Sequence, residues 1–225
     1  MASNLDLQEQ EQLDELKAFW KQYGNLITWL ITLVLAGFAA YNGWNLWQSH
    51  QAKGAAGMFG ELAAAAQTGD ADRTGKVFAD MKDRFAGAEL TRHAAMLTAR
   101  VQSDKGQTDA AMASLNWVIE HSGADGLGPV ARLRLSGLLI EKKSFDDALK
   151  QLDAITGDEY RGLVQDRRGD VLMAQGKKDE AVAAWQAAWK ALPEEQQYRR
   201  IVEAKLDSQG RSPVPAEPAA SEAAR

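Results

Sequence analysis

From Gln22 to Ala52 the chain carries no Asp, Glu, Lys or Arg, and this run constrains the fold more than any other feature. Its apolar heart, LITWLITLVLAGFAAYNGWNLW, extends from Leu26 to Trp47. As a helix, such a stretch is about 33 Å long, against a hydrocarbon core about 30 Å thick. Tyr23, Trp29, Tyr41, Trp44 and Trp47 lie at or near its two ends. Rings that are apolar on one side and wet on the other favour a membrane interface. Thr28 and Thr32 can bond back to helix carbonyls, while Asn42 and Asn45 mark the emergence of the far end. The run predicts a single transmembrane helix over 23–47. A cleaved signal peptide would have a shorter apolar stretch behind a basic leader. Here the leader is acidic.

The leader, residues 1–22, holds Asp6, Glu9, Glu11, Asp14 and Glu15 against Lys17 and Lys21. It reads as an amphipathic helix, with Leu5, Leu13, Leu16, Phe19 and Trp20 towards one side. Lysines set orientation more strongly than acids do. Lys17 and Lys21 precede the span and Lys53 alone follows it closely, so the N-terminus is expected in the cytoplasm. Two small-xxx-small pairs, Ala36 with Ala40 and Ala39 with Gly43, offer a close-approach face to another membrane helix.

The body, 48–207, repeats with a period near 34–37 residues. In RRGDVLMAQGKKDEAVAAWQAAWKALPEE, the positions Gly169, Leu172, Gly176, Ala181, Trp185, Ala188 and Pro193 mark a helix hairpin. A small residue lets the two helices touch, a glycine turns the chain, and Ala181 sits at the crossing. Trp185 is expected to fill the gap to the next unit, and Pro193 to end the second helix. The same frame recurs upstream. The crossing positions fall at Thr74, Ala111, Ala148 and Ala181. The turns fall at Gly69, Gly106, Lys143 and Gly176. Gly123, Gly126, Gly128 and Pro129 punctuate a loop between repeats. Such hairpins bury their apolar faces only by stacking. A helix from about Glu194 to Leu206 would cap the stack. Residues 208–225, with three prolines among alanine, serine and glutamate, predict a disordered tail.

The expected class is all-α: one N-terminal transmembrane helix and an α-solenoid of about four hairpins. The hairpins resemble tetratricopeptide repeats. That resemblance implies a groove lined by the first helix of each hairpin. In this sequence its positions would be Phe59, Met96, Arg100, Val130, Leu133, Ile140, Leu163, Asp166, Asp170 and Met173. Most are apolar, which suits an extended apolar peptide or a partner's helix. Several are equally suited to packed core. The lysine and asparagine clamp that some such domains use for a C-terminal carboxylate is absent at these positions.

Chemistry is hard to find. The chain has no cysteine, which excludes disulfides, thiolate metal sites and cysteine nucleophiles. A net charge of −5 argues against nucleic acid as a partner. GDADRTGK, at 69–76, lacks P-loop spacing, and Val77 stands where a hydroxyl should reach magnesium. As a calcium loop it lacks the bidentate acid, since its twelfth position is Met81. Glu89 and His93, four apart, are too few to hold a metal. We expect no enzyme, no cofactor and no metal.

The acidic head LDLQEQEQLDELKAFWKQYGN, then the span, then hairpins marked by Gly106, Ala111, Gly176 and Ala181 resemble the YfgM-type ancillary subunit of the SecYEG translocon. The resemblance covers residues 1 to about 207. It implies a bacterial inner-membrane protein with a periplasmic domain. It implies partnership with the translocon and periplasmic chaperones, and the handing on of newly exported polypeptides. A membrane-anchored scaffold for another envelope complex, with no client, is the alternative.

Overall fold

The computed structural model describes residues 4–123 and 126–213, with side chains from Glu11 onward. The expected tail falls mainly on 214–225, outside the described residues. Every regular element described is helical. The chain divides into two units, one reaching Gly54 and one starting at Ala55.

Helix α1 (Asn4–Gln67) begins in the first unit, where it runs through the acidic leader and the uncharged stretch without a break, and its last residues belong to the second. The amphipathic leader and the span are therefore one helix. Trp29, Leu33, Phe38 and Leu46 are exposed, each by more than three-fifths of its surface. A helix that is apolar and open to its surroundings suits lipid rather than a protein core. Thr28 and Thr32 donate to the carbonyls of Gly24 and Thr28, at 2.7 and 2.8 Å. Asn42 does the same to Phe38, at 2.9 Å. These side chains satisfy their donors within the helix, as a lipid setting demands.

The second unit is a stack of hairpins. The end of α1 leads into α2 (Ala71–Phe85), and α3 (Glu89–Asp104) pairs with α4 (Thr108–His121). Helix α5 (Leu127–Glu141) pairs with α6 (Phe145–Asp153), and α7 (Arg161–Ala174) with α8 (Lys178–Ala191). Helix α9 (Tyr198–Ser208) packs on α8. It starts four residues later than expected, because Pro193 to Gln196 form a turn first.

The crossing residues explain the stack. Thr74, Ala111, Ala148 and Ala181 are all 0% exposed. A side chain larger than these would push each hairpin open. Thr74 carries the one polar group in this set, and its hydroxyl bonds to the carbonyls of Asp70 and Ala71.

The turns are equally regular. Gly69, Gly106, Lys143 and Gly176 have φ of 68°, 73°, 58° and 81°. At the second turn, Gly106 N–H bonds to Ser103 at 2.9 Å and Gln107 N–H to Gln102 at 2.8 Å. The third and fourth turns repeat that pair of bonds. This is the Schellman closure, which needs a left-handed residue just past the helix end. Around 69–76, Gly69 ends α1 and Asp70 caps α2 through the N–H of Arg73, at 2.9 Å. One expected loop is partly helix: Gly126 turns the chain at φ 71°, and Gly128 and Pro129 already belong to α5. Proline is well tolerated in a first helical turn.

The core has two parts. One runs from Ala55 to Val171, and the other gathers α8 and α9 around Trp185, Val202 and Leu206. Helix α7 serves both, giving Val171 to the first and Leu163, Leu172 and Met173 to the second.

Candidate functional site

Two polar features stand out in the repeat unit. The first is a cleft of about 430 Å³ bordered by α3, α5 and α7, the first helices of three successive hairpins. Arg100, Arg134 and Arg167 project into it, facing Asp104 and Glu141. Ala99, Leu115 and Leu138 form an apolar floor. On α5, Arg134, Gly137 and Glu141 follow an i, i+3, i+7 spacing that places them on one helix face.

The guanidiniums are loosely held. Arg100 Nε is 3.8 Å from Asp104, and Arg134 reaches the Met96 carbonyl at 3.5 Å. Arg167 pairs with Asp170 at 3.3 Å. Each guanidinium offers five N–H donors, so most of that capacity is unspent on these contacts.

The second feature is a tight network where α9 meets α7. Asp166 is 0% exposed. Its carboxylate accepts from Tyr198 Oη at 2.6 Å and from Lys205 Nζ at 2.7 Å. Lys205 also donates to Asp170 at 2.7 Å. Trp185 Nε1 donates to the Asp166 carbonyl and to Asp170, at 3.1 and 3.2 Å. Burial, and then the bond to Asp166, holds the Tyr198 hydroxyl well above its ordinary pKa. All these groups answer one another, as buried polar groups must.

The ten expected groove positions separate across these features. Arg100 alone lines the cleft. Phe59, Val130, Leu133 and Ile140 are half-buried against the first core, and Met96 is 6% exposed within it. Leu163 and Met173 pack against the second core. Asp166 and Asp170 face α9. Sequence reasoning missed Arg134, Gly137 and Arg167. Arg134 and Glu141, seven apart on α5, share one helix face with Gly137 between them, a signal that would have pointed to the first two. Trp185 reaches the next element as expected, sharing a core with Val202 and Leu206 of α9 and meeting Lys205 at 5.8 Å, and it also lies against Gly169 of its own hairpin partner.

In the span, Ala36, Ala39, Ala40 and Gly43 are exposed, and nothing lies within 4 Å of a methyl group placed on Gly43. Glu89 and His93 form an exposed pair at 3.8 Å.

A stack of helix hairpins behind an apolar helix defines a membrane-anchored helical-repeat protein. Residues 17–211 match the family described as Tetratricopeptide repeat-like domain, and the chain belongs to that family. Among similar proteins, one from Neisseria gonorrhoeae is 27% identical over 203 residues, covering 90% of this chain and 97% of that protein. One from Escherichia coli is 30% identical over 112 residues, covering 48% and 54%. One from Haemophilus influenzae is 25% identical over 184 residues, covering 81% and 89%. Each of the three bears the name "Ancillary SecYEG translocon subunit".

Proposed function

We propose that this chain is an inner-membrane accessory subunit of the Sec protein translocon. Its repeat unit stands in the periplasm and binds chaperones or newly exported polypeptides. The observation that carries this reading is the length of the match to the Neisseria gonorrhoeae translocon subunit, nearly end to end in both chains. An isolated repeat domain would match over its hairpins alone. Here the likeness extends through the membrane segment as well.

Physical features support each part. The exposed apolar stretch of α1 suits a bilayer. Lys17 and Lys21 before the span, against Lys53 after it, favour a cytoplasmic N-terminus. Ala36, Ala39, Ala40 and Gly43 give a smooth strip on which a translocon helix could seat. A binding role without catalysis fits a cleft formed between repeats.

In-cell photocrosslinking tests the whole reading. Photoreactive residues would replace Ala36 and Ala40 in the span, and Leu133 and Leu163 on the repeats. The expected result is a span crosslink to a translocon subunit, and repeat crosslinks to chaperones or many exported chains. One discrete envelope partner and no translocon would overturn it.

That second outcome is the scaffold reading, and one observation favours it. Helix α9 covers Asp166 and Asp170, so part of the expected groove is filled by the chain itself.

A further inference from the structure

We propose that the cleft between α3, α5 and α7 holds an acidic stretch of polypeptide by its carboxylates. This deepens the binding role proposed above and rests on it.

Three observations converge. First, Arg100, Arg134 and Arg167 come from three different helices to one cleft of about 430 Å³. Asp104 and Asp170 answer Arg100 and Arg167 only at 3.8 and 3.3 Å, which leaves guanidinium donors for an anion. The buried Nε of Arg167 has no hydrogen-bond partner among the described residues. Arginine's planar fork matches a carboxylate with two parallel bonds.

Second, Gly137 keeps the cleft open. It lies mid-helix in α5, where glycine is costly compared with alanine. Nothing in the turn geometry requires it, because its φ is not positive. A methyl group there would meet Arg167 Nη1 at 3.7 Å, an ordinary contact. A longer side chain would occupy the space before the guanidinium.

Third, the lining is mixed in a way that selects the occupant. Asp104 and Glu141 face the same space as the arginines. A nucleic-acid backbone offers phosphate after phosphate and would be repelled by both acids. A polypeptide brings N–H donors as well as carboxylates, so it answers both signs. Ala99, Leu115 and Leu138 add apolar floor for the residues between its charges. The volume lies within the range of small-ligand sites, room for a few residues.

The test uses the full chain in detergent micelles and fluorescence anisotropy. The probes are a labelled peptide alternating glutamate with leucine and alanine, and its lysine counterpart. The expected result is binding of the acidic peptide alone, weakened by salt. Arg100→Gln and Arg134→Gln should each weaken it by about tenfold, as losing a charge-assisted bond does. Both side chains are exposed, so the melting temperature should hold. Gly137→Leu keeps every charge and should abolish binding by filling the cleft. Equal binding of the two peptides overturns the proposal, as does unchanged binding by Arg134→Gln or Gly137→Leu. Displacement of the peptide by equimolar inorganic phosphate also overturns it, in favour of a small-anion site. If the acidic peptide fails while in-cell crosslinks to exported chains persist, the cleft assignment falls and the translocon reading stands.

Discussion

The indole of Trp185 on α8 lies close against Gly169 on α7. A methyl group at Gly169 would overlap its Cδ1 and Nε1. The ring cannot swing aside freely, because Nε1 is bonded to the Asp166 carbonyl and to Asp170. Gly162, two turns earlier, stands in a similar relation to Leu192, with a methyl falling 2.6 Å from Cδ2. Helices α7 and α8 thus meet through two glycines on one face.

Gly169→Ala is therefore expected to destabilise the repeat unit, although alanine is the better helix former. Overpacking of this kind costs about 1–3 kcal/mol, more than the roughly 1 kcal/mol that alanine returns in a helix. Chemical denaturation followed by circular dichroism reads the difference. A Gly169→Ala protein at least as stable as the parent would show that the helices part without cost.

Lys143 holds a left-handed turn that glycine holds in the other three hairpins. A side chain in that region is strained by about 1 kcal/mol or more. Glycine loses extra freedom on folding, which offsets part of the gain. Lys143→Gly should stabilise the unit by roughly 0.5 kcal/mol. Lys143 is exposed and lies outside the cleft, so peptide binding should stay as it was. A lower denaturation midpoint would count against the strain argument.

These examples show what was legible in the sequence and what was not. The crossing residues Thr74 to Ala181 and the turns at Gly69 to Gly176 follow from local rules of size and backbone freedom. Their spacing alone reveals the hairpins. The apolar stretch is equally local, a matter of composition over one helix length. The cleft is different. Whether Leu133 or its neighbour Arg134 faces outward depends on how α5 is rotated on its neighbours. No period within α5 fixes that rotation. The expected frame chose the apolar residue, and packing turned that residue inward. The contact of Asp166 with Lys205 joins residues 39 positions apart. Only complementary faces hinted at it: acids four apart on α7, and Tyr198 and Lys205 seven apart on α9.

Lys205→Met isolates the value of that contact. It leaves Asp166 fully buried with Tyr198 as its remaining side-chain donor. Removing one partner of a buried pair costs about 3 kcal/mol, less where water reaches the site, as it does at Lys205. We expect a loss of about 2–3 kcal/mol and early detachment of α9 by hydrogen exchange. Adding Asp166→Asn should return part of the loss. Lys142→Gln is the contrast. Its ion pair with Asp109 is largely exposed, and such pairs contribute under about 1 kcal/mol. Equal effects from the two lysines would remove any special role for the network.

The absence of cysteine makes membrane topology easy to read. Gln12→Cys and Lys178→Cys each place one thiol at an exposed position, on either side of the span. With the proposed orientation, a membrane-impermeant maleimide labels Lys178→Cys once the outer membrane is opened. Gln12→Cys is labelled only after the inner membrane is dissolved. The reverse pattern would place the repeat unit in the cytoplasm and overturn the periplasmic role.

The raised pKa of Tyr198 gives a prediction at high pH. The phenol ionises near 10.0 in the unfolded chain and higher in the folded protein. Between those two values the unfolded state has lost its proton while the folded state keeps it. Stability is therefore full below about pH 10 and falls as pH rises above it. Other tyrosines and lysines titrate there too, so the comparison is with Tyr198→Phe. That variant gives up one bond to Asp166 and should be less stable at pH 8. The gap between the two proteins should then narrow steadily as pH rises above 10. Thermal melts from pH 8 to 11.5 measure it, and a constant gap would mean that the phenol titrates alike in both states.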